Sequence, residues 1–377
     1  MSGGAVRATL AALLCAAATA ACAAPGPGAP APAAGPTPAE TGAPRPDAAT
    51  PARADGTAPA PPAPGASSED AGALGGAAPP APSAPPAAIG PEDARAILFP
   101  VGPAPSGCDG LAAEREIVRC LIAARFAPDR VAAGMAVDLY DRTGDVAGVL
   151  PEQVMDGGWR GVLRLVPEPP LGPHRLQLQY VAAATRDIDR FLVALQARAG
   201  RPLSYRWQPL GLRFFRSVGR TTPSAMAERW AVAYNVRGSL HVSADAVRET
   251  LFHEIWHLND AAHDNWSSRA LGDAFASILA RCPSGPGGLP SRACLAPWAP
   301  HSTTVRGGTY YAFQPGGGVG EYGAELAVRY FEEQLRALGP GRAAAARPFK
   351  CGPEPNATAW KLLADEFFAG ADLVPGC

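Results

Sequence analysis

Apolar residues recur along the chain in two different periods, and the switches between them mark its elements. Over residues 112–125 (AAEREIVRCLIAAR), Ile117, Val118, Leu121 and Ile122 fall at helical spacing, which predicts a helix with those side chains turned inward. Residues 138–149 mix apolar positions with Gly144 and Gly148 and carry no readable period. Residues 159–166 and 175–181 alternate apolar with polar on either side of a Pro/Gly-rich PEPPLGP, the pattern of a hairpin or two neighbouring strands. Residues 185–199 return to helical spacing at Ile188, Phe191, Leu192 and Leu195. Short strand-like runs follow at 203–207, 212–217, 230–236 and 239–243. Next comes the helix that carries the largely apolar stretch 250–265, with Ser243 placed to cap its start. After a glycine-rich loop at 316–320, Leu326, Val328, Tyr330 and Phe331 predict another buried helix. The order of elements is that of an α+β fold, and no internal repeat is visible.

Ahead of residue 91 the pattern disappears. No Phe, Trp or Tyr precedes Phe99, and 18 of the 42 prolines lie between Pro25 and Pro86. Such a segment has little apolar area to offset its ordering entropy, so residues 23–90 are expected to form a disordered Pro/Ala/Gly tether. Residues 1–22 have the layout of an export signal, with Arg7 before a short Ala/Leu-rich run at 8–21. The run ends in Thr19-Ala20-Ala21-Cys22, which resembles the lipobox of bacterial lipoproteins, although Thr19 stands where that pattern prefers Leu. The resemblance implies a cell-envelope lipoprotein anchored through Cys22; plain secretion is the alternative. No later stretch has the apolar length of a membrane span. The folded part is expected to divide into a mostly helical region, 91–158, and a chemistry-bearing domain, 159–377.

Charge narrows the partners. The formal net charge is −1 and no long basic run occurs, which points away from nucleic acid and leaves a lipid anchor as the route to a membrane. Beyond the leader stand Cys108, Cys120, Cys282, Cys294, Cys351 and Cys377, with no C-x-x-C pair to suggest cysteine-ligated zinc. The simplest expectation is three local disulfides in sequential order, 108–120, 282–294 and 351–377, in an oxidising compartment. Buried free thiols are the alternative.

The candidate chemistry lies in the helix over 250–265, TLFHEIWHLNDAAHDN. His253, Glu254 and His257 form H-E-x-x-H. Residues four apart on a helix are about 40° from eclipsed, so both imidazoles leave one face and can reach a single Zn2+. Glu254 then lies beside the ion, where a base for an attacking water belongs. Leu251, Phe252, Ile255, Trp256 and Leu258 would bury this helix, and buried polar groups need partners.

Two residues compete as third ligand. His263 completes the spacing of the metzincin motif, but it stands roughly 120° from His257 on a continuous helix. Asp260 occupies the place where metzincins break the helix with glycine, and all four methionines precede the motif. The other candidate is Glu321, in Glu321-Tyr-Gly-Ala-Glu325, at the start of the second buried helix. An aspzincin reading fails because Gly308-Thr309 lacks the accompanying Asp.

H-E-x-x-H followed by E-x-x-A-E resembles the zincin metallopeptidases of gluzincin type, and among them the catalytic domain of the lethal-factor-like peptidases. Asp260 fits that group, whereas Asn259 departs from the zincin frame. The resemblance implies a zincin-like fold: a twisted sheet and backing helix above the H-E-x-x-H helix, and a helical C-terminal half. It implies His253, His257 and Glu321 as zinc ligands, Glu254 as general base and Glu325 orienting a ligand. Tyr310 or Tyr311 would donate to the oxyanion, with packing as the alternative for either. Asn259, Asp260 or Asp264 would hold a histidine N–H or cap the helix end. Residues 239–243 would be the edge strand that pairs with a peptide or protein substrate. His174 and His241 read as surface or packing residues, and His301 as a loop residue that could line the cleft. The expected function is exported, zinc-dependent peptide hydrolysis. The alternatives are a non-enzymatic surface lipoprotein with a vestigial motif and an amidase acting on cell-wall peptide.

Overall fold

A computed structural model describes residues 87–157, 161–205, 208–283, 290–305, 308–314, 316–339 and 347–377. The expected export signal, and the expected tether up to residue 86, lie outside the described residues. Three helices come first: α1 (Pro91–Leu98), α2 (Glu114–Arg125) and α3 (Arg130–Thr143). The Asp129 carboxylate caps α3 by accepting the N–H groups of Val131 and Ala132, and Gly144 ends it in the left-handed region. Strands β1 (Val146–Val149), β2 (Gln153–Asp156) and β3 (Val162–Pro167) precede a long helix, α4 (Arg175–Ala199). Strands β4 (Gly211–Ser217), β5 (Ala225–Glu228) and β6 (Ala231–Asn235) complete the sheet. The second half is helical: α5 (Ala244–Ala262), α6 (Trp266–Ala270), α7 (Gly272–Arg281), α8 (Arg292–Leu295), α9 (Gly318–Leu338) and α10 (Glu354–Phe367).

The fold is α+β around one mixed sheet in the order β2-β3-β4-β6-β5. Central β4 runs parallel to β6 on one edge. Its other edge is shared end to end by parallel β1 and antiparallel β3. The expected division at 158/159 falls between β2 and β3, which pair from Gln153–Leu165 to Asp156–Val162, so both expected regions supply one sheet. Alternation along the strands sends Leu212, Phe214, Val232 and Tyr234 into the main helical core. Phe215 and Ala233 face a smaller cluster with Leu150, Leu163 and Leu165 on the opposite side.

Several expectations are corrected. Residues 175–181 are the first two turns of α4, not a strand: Leu178 and Val181 are buried while Leu176 is 48% exposed, so the alternation was an accident of a helical stripe. Residues 203–205 form a turn, with Tyr205 N–H donating to Phe367 O; residues 206–207 of that expected strand lie outside the described residues. Residues 239–243 are also a turn, and β5 is the outermost strand at that end of the sheet.

Packing fixes α5 between α4 and α9. Phe252 meets Phe331 of α9 at 4.4 Å between ring centroids and Phe191 of α4 at 6.2 Å, while Phe191 and Phe331 meet at 4.7 Å. Trp256 packs edge-on to Phe367 of α10 at 4.6 Å. Burying each such ring contributes about 1.5–3 kcal/mol, so the mutual setting of α5 and α9 rests on the core. The disulfides are Cys108–Cys120, Cys282–Cys294 and Cys351–Cys377, the sequential set, and they fit an oxidising compartment. Among the described residues no helix is long and apolar enough to cross a membrane.

Candidate metal centre

Helix α5 starts at Ser243, whose hydroxyl accepts the Ala246 N–H at 3.2 Å. It runs unbroken through H-E-x-x-H to Ala262. His253 and His257 therefore leave the same face, and their Nε2 atoms are 3.1 Å apart. Glu321, in the first turn of α9, brings Oε2 to 3.1 Å from His253 Nε2 and 3.6 Å from His257 Nε2. Behind them Glu325 Oε1 lies 3.1 Å from His253 Nδ1. With the Nδ1 hydrogen donated to Glu325, His253 Nε2 turns a lone pair toward the Glu321 oxygen and the second imidazole. The three atoms are close enough for a metal ion or a shared proton to bridge them.

The donor set fits a metal ion. A tetrahedral ion with bonds of about 2.0–2.1 Å to nitrogen and oxygen holds its ligand atoms about 3.4 Å apart. The observed edges of 3.1, 3.1 and 3.6 Å bracket that value. In the metal-free chain a proton can take the same place. Burial lowers the His253 imidazole, but the Glu321 and Glu325 carboxylates outweigh it and push its pKa up to about 10. Burial raises Glu321, and hydrogen bonds from both histidines more than reverse this, holding it well below the usual carboxylate range.

Glu254 is 8% exposed and lies against β5, where the Ala227 N–H donates to its carboxylate. Burial pushes its pKa up, opposed by the two histidines. It opens with Thr250, His253 and Tyr311 onto a cavity of about 560 Å³, walled by Pro223 and Ala225 on the sheet side. The Tyr311 ring is 5.6 Å from that of His253. Burial, with Glu321 and Glu254 nearby, pushes its phenol far up, so it keeps its proton and can donate it in a hydrogen bond. Tyr310 packs under the Arg292 guanidinium at 5.3 Å instead.

His263 is not part of this group. It caps the C-terminus of α5, its Nδ1 lies 2.7 Å from Glu366 Oε1, and its ring rests on Phe367. The chain reverses only after it, where Asp264 and Asn265 are left-handed. Asp260 spends both carboxylate oxygens on Ser267, accepting from N–H at 2.7 Å and from the hydroxyl at 2.8 Å, so it ties α5 to α6. The Asn259 amide donates back to Ile255 O. His241 stacks on Tyr234 at 3.8 Å in the core, and His174 lies 3.9 Å from Glu168.

Sequence reasoning missed Glu249 and Glu332, which flank His301; Glu249 and His301 line the same cavity as His253 and Glu254. Glu249 precedes His253 by the same four residues that separate His253 from His257, a spacing that was available to be read. No protein-family model, curated protein or solved structure matches this chain.

Proposed function

We propose that the chain is an exported, zinc-dependent metallopeptidase of gluzincin type with a zincin-like fold. The observation that carries this reading is the convergence of His253, His257 and Glu321 beside a buried Glu254 on an open cavity. A sheet whose end strand, β5, runs beside the H-E-x-x-H helix supports it, as does α4 packed behind that helix. The three disulfides support export.

His253, His257 and Glu321 would hold the zinc, with Glu325 fixing the His253 ring. When bound, the ion supplies Lewis acidity, which polarises a carbonyl and eases deprotonation of water. Glu254, held by the Ala227 amide, accepts the proton of the attacking water and passes it to the leaving nitrogen. Tyr311 donates its O–H to the developing oxyanion. The outer edge of β5, apart from the Ala227 N–H that Glu254 engages, would offer main-chain groups to an extended peptide.

Replacing Glu254 with Gln tests the reading. Hydrolysis of an unfolded protein should fall by about 100-fold or more, while zinc content stays at the wild-type level. Undiminished hydrolysis would remove Glu254 as the base, and a zinc-free wild-type chain would leave the motif vestigial. Cleavage confined to cell-wall peptide would move the substrate away from protein.

A further inference from the structure

A second group of side chains among the described residues converges closely enough to share one ion: Glu249, His301 and Glu332. The same two helices build it. Glu249 stands one turn before His253 on α5, and Glu332 about two turns beyond Glu325 on α9. The loop after α8 brings His301 between them. His301 Nε2 is 3.9 Å from Glu249 Oε2 and 3.7 Å from Glu332 Oε1. The ligand atoms of all three residues lie within 4.8 Å of one another, so the two carboxylates face each other across the imidazole. On the other side of the ring, His301 Nδ1 lies 2.7 Å from Thr303 Oγ1. The Thr303 N–H also approaches Nδ1, at 3.4 Å, so the imidazole is held from behind with Nε2 facing two carboxylates.

An independent observation comes from Glu325. Its side chain is 6% exposed, and its Oε2 is buried without a hydrogen-bond donor, 3.5 Å from His301 Nδ1. A carboxylate oxygen left in that state is costly, and here it faces a cluster already holding two more carboxylates. Two guanidinium groups are near: Arg336 Nη2 lies 3.4 Å from the outer oxygen of Glu332, and Arg248, beside Glu249, is already engaged by Asp187 at 3.4 Å and Asp245 at 2.9 Å. With Arg248 shared by two aspartates, Arg336 and one imidazole do not balance three carboxylates, and Glu249, His301 and Glu325 all line the cavity through which an ion could enter. The donors also discriminate among ions. Calcium takes about six to eight oxygens, whereas one imidazole with two carboxylates suits zinc or manganese.

We propose that Glu249, His301 and Glu332 form a second divalent-cation site, of the zinc or manganese class. Glu325 joins it to the first, one oxygen facing His253 and the other His301. This site does not depend on the peptidase reading.

The test is metal content of the full chain, stripped with chelator, exposed to Zn2+ or Mn2+ and desalted. Wild type should carry about two ions per chain. Glu249→Gln/Glu332→Gln should carry one fewer, and His257→Ala should lose one while keeping the other. A wild type with one ion and a His257→Ala variant with none would overturn the proposal, leaving a protonated His301 as the cluster's counter-charge. One ion in both would uphold the second site and count against the first. Should the double variant fail to fold, the 113Cd spectrum of the wild-type chain decides: two resonances support the site, and one from the first centre alone refutes it.

Discussion

Glu325→Gln separates the orienting role of this side chain from a structural one. Glu325 is 5% exposed, and its Oε1 accepts the His253 ring N–H at 3.1 Å. The amide keeps a carbonyl oxygen to accept that hydrogen and loses the charge. A hydrogen bond to a charged group contributes about 1.5–3 kcal/mol, against about 0.5–1.5 kcal/mol between neutral partners. The loss is therefore about 1–1.5 kcal/mol, which weakens binding of the first cation roughly tenfold. The same change removes charge from Oε2, a buried oxygen without a donor, and relieves a cost of comparable size. In the metal-free chain the two effects oppose, so its Tm should stay within about 3 °C of wild type. Affinity is read by competition with a chromophoric chelator, and Tm by circular dichroism in excess chelator. Wild-type affinity would refute the orienting role, and a metal-free Tm lower by more than about 6 °C would make Glu325 a structural ion-pair partner.

Two further outcomes follow from the same geometry. The His253 pKa is pushed up to about 10 in the metal-free chain, above about 6.5 when unfolded. Its contribution to stability is therefore full below pH ~6.5 and lost as pH rises through about 10. A cation must displace that proton, so near pH 8 binding should release about one proton per ion and tighten as pH rises; calorimetry in buffers of different ionisation enthalpy measures the release, and buffer-independent heats would contradict it. The Cys351–Cys377 bridge closes a separation of 26 residues, so replacing both with Ser should cost about 3.5 kcal/mol of chain entropy in denaturant unfolding. A loss under about 1 kcal/mol would show that the C-terminal segment is held by packing alone.

The legible parts of this protein are those whose signal is local. The H-E-x-x-H stripe, the Ser243 cap, the helix opening at Glu321 and the short-range disulfides all depend on spacings of a few residues to a few turns. Residues 175–181 were misread because Leu176, Leu178 and Tyr180 alternate over a window too short to tell a strand from one face of α4. Strand β5 escaped notice because half-buried Ala225–Glu228 has no period of its own and is a strand by virtue of pairing with β6. Asp260 shows the same limit at the site: its place after the motif suited a partner for histidine, but the left-handed turn at Asp264 and Asn265 folds Ser267 back onto it. Glu249 and Glu332 became a pair only through the packing of α5 on α9 around Phe252 and Phe331, a relation that no local pattern carries.

The proposed metal centre is three side chains from two helices sharing one cation, with His263 having no part in it. Metal content of the wild type, Glu321→Ala and His263→Ala chains, measured after identical zinc loading, tests this most directly. Glu321→Ala should lose one ion and His263→Ala none. Loss from His263→Ala with retention in Glu321→Ala, or a wild-type chain that takes up no zinc, would contradict it.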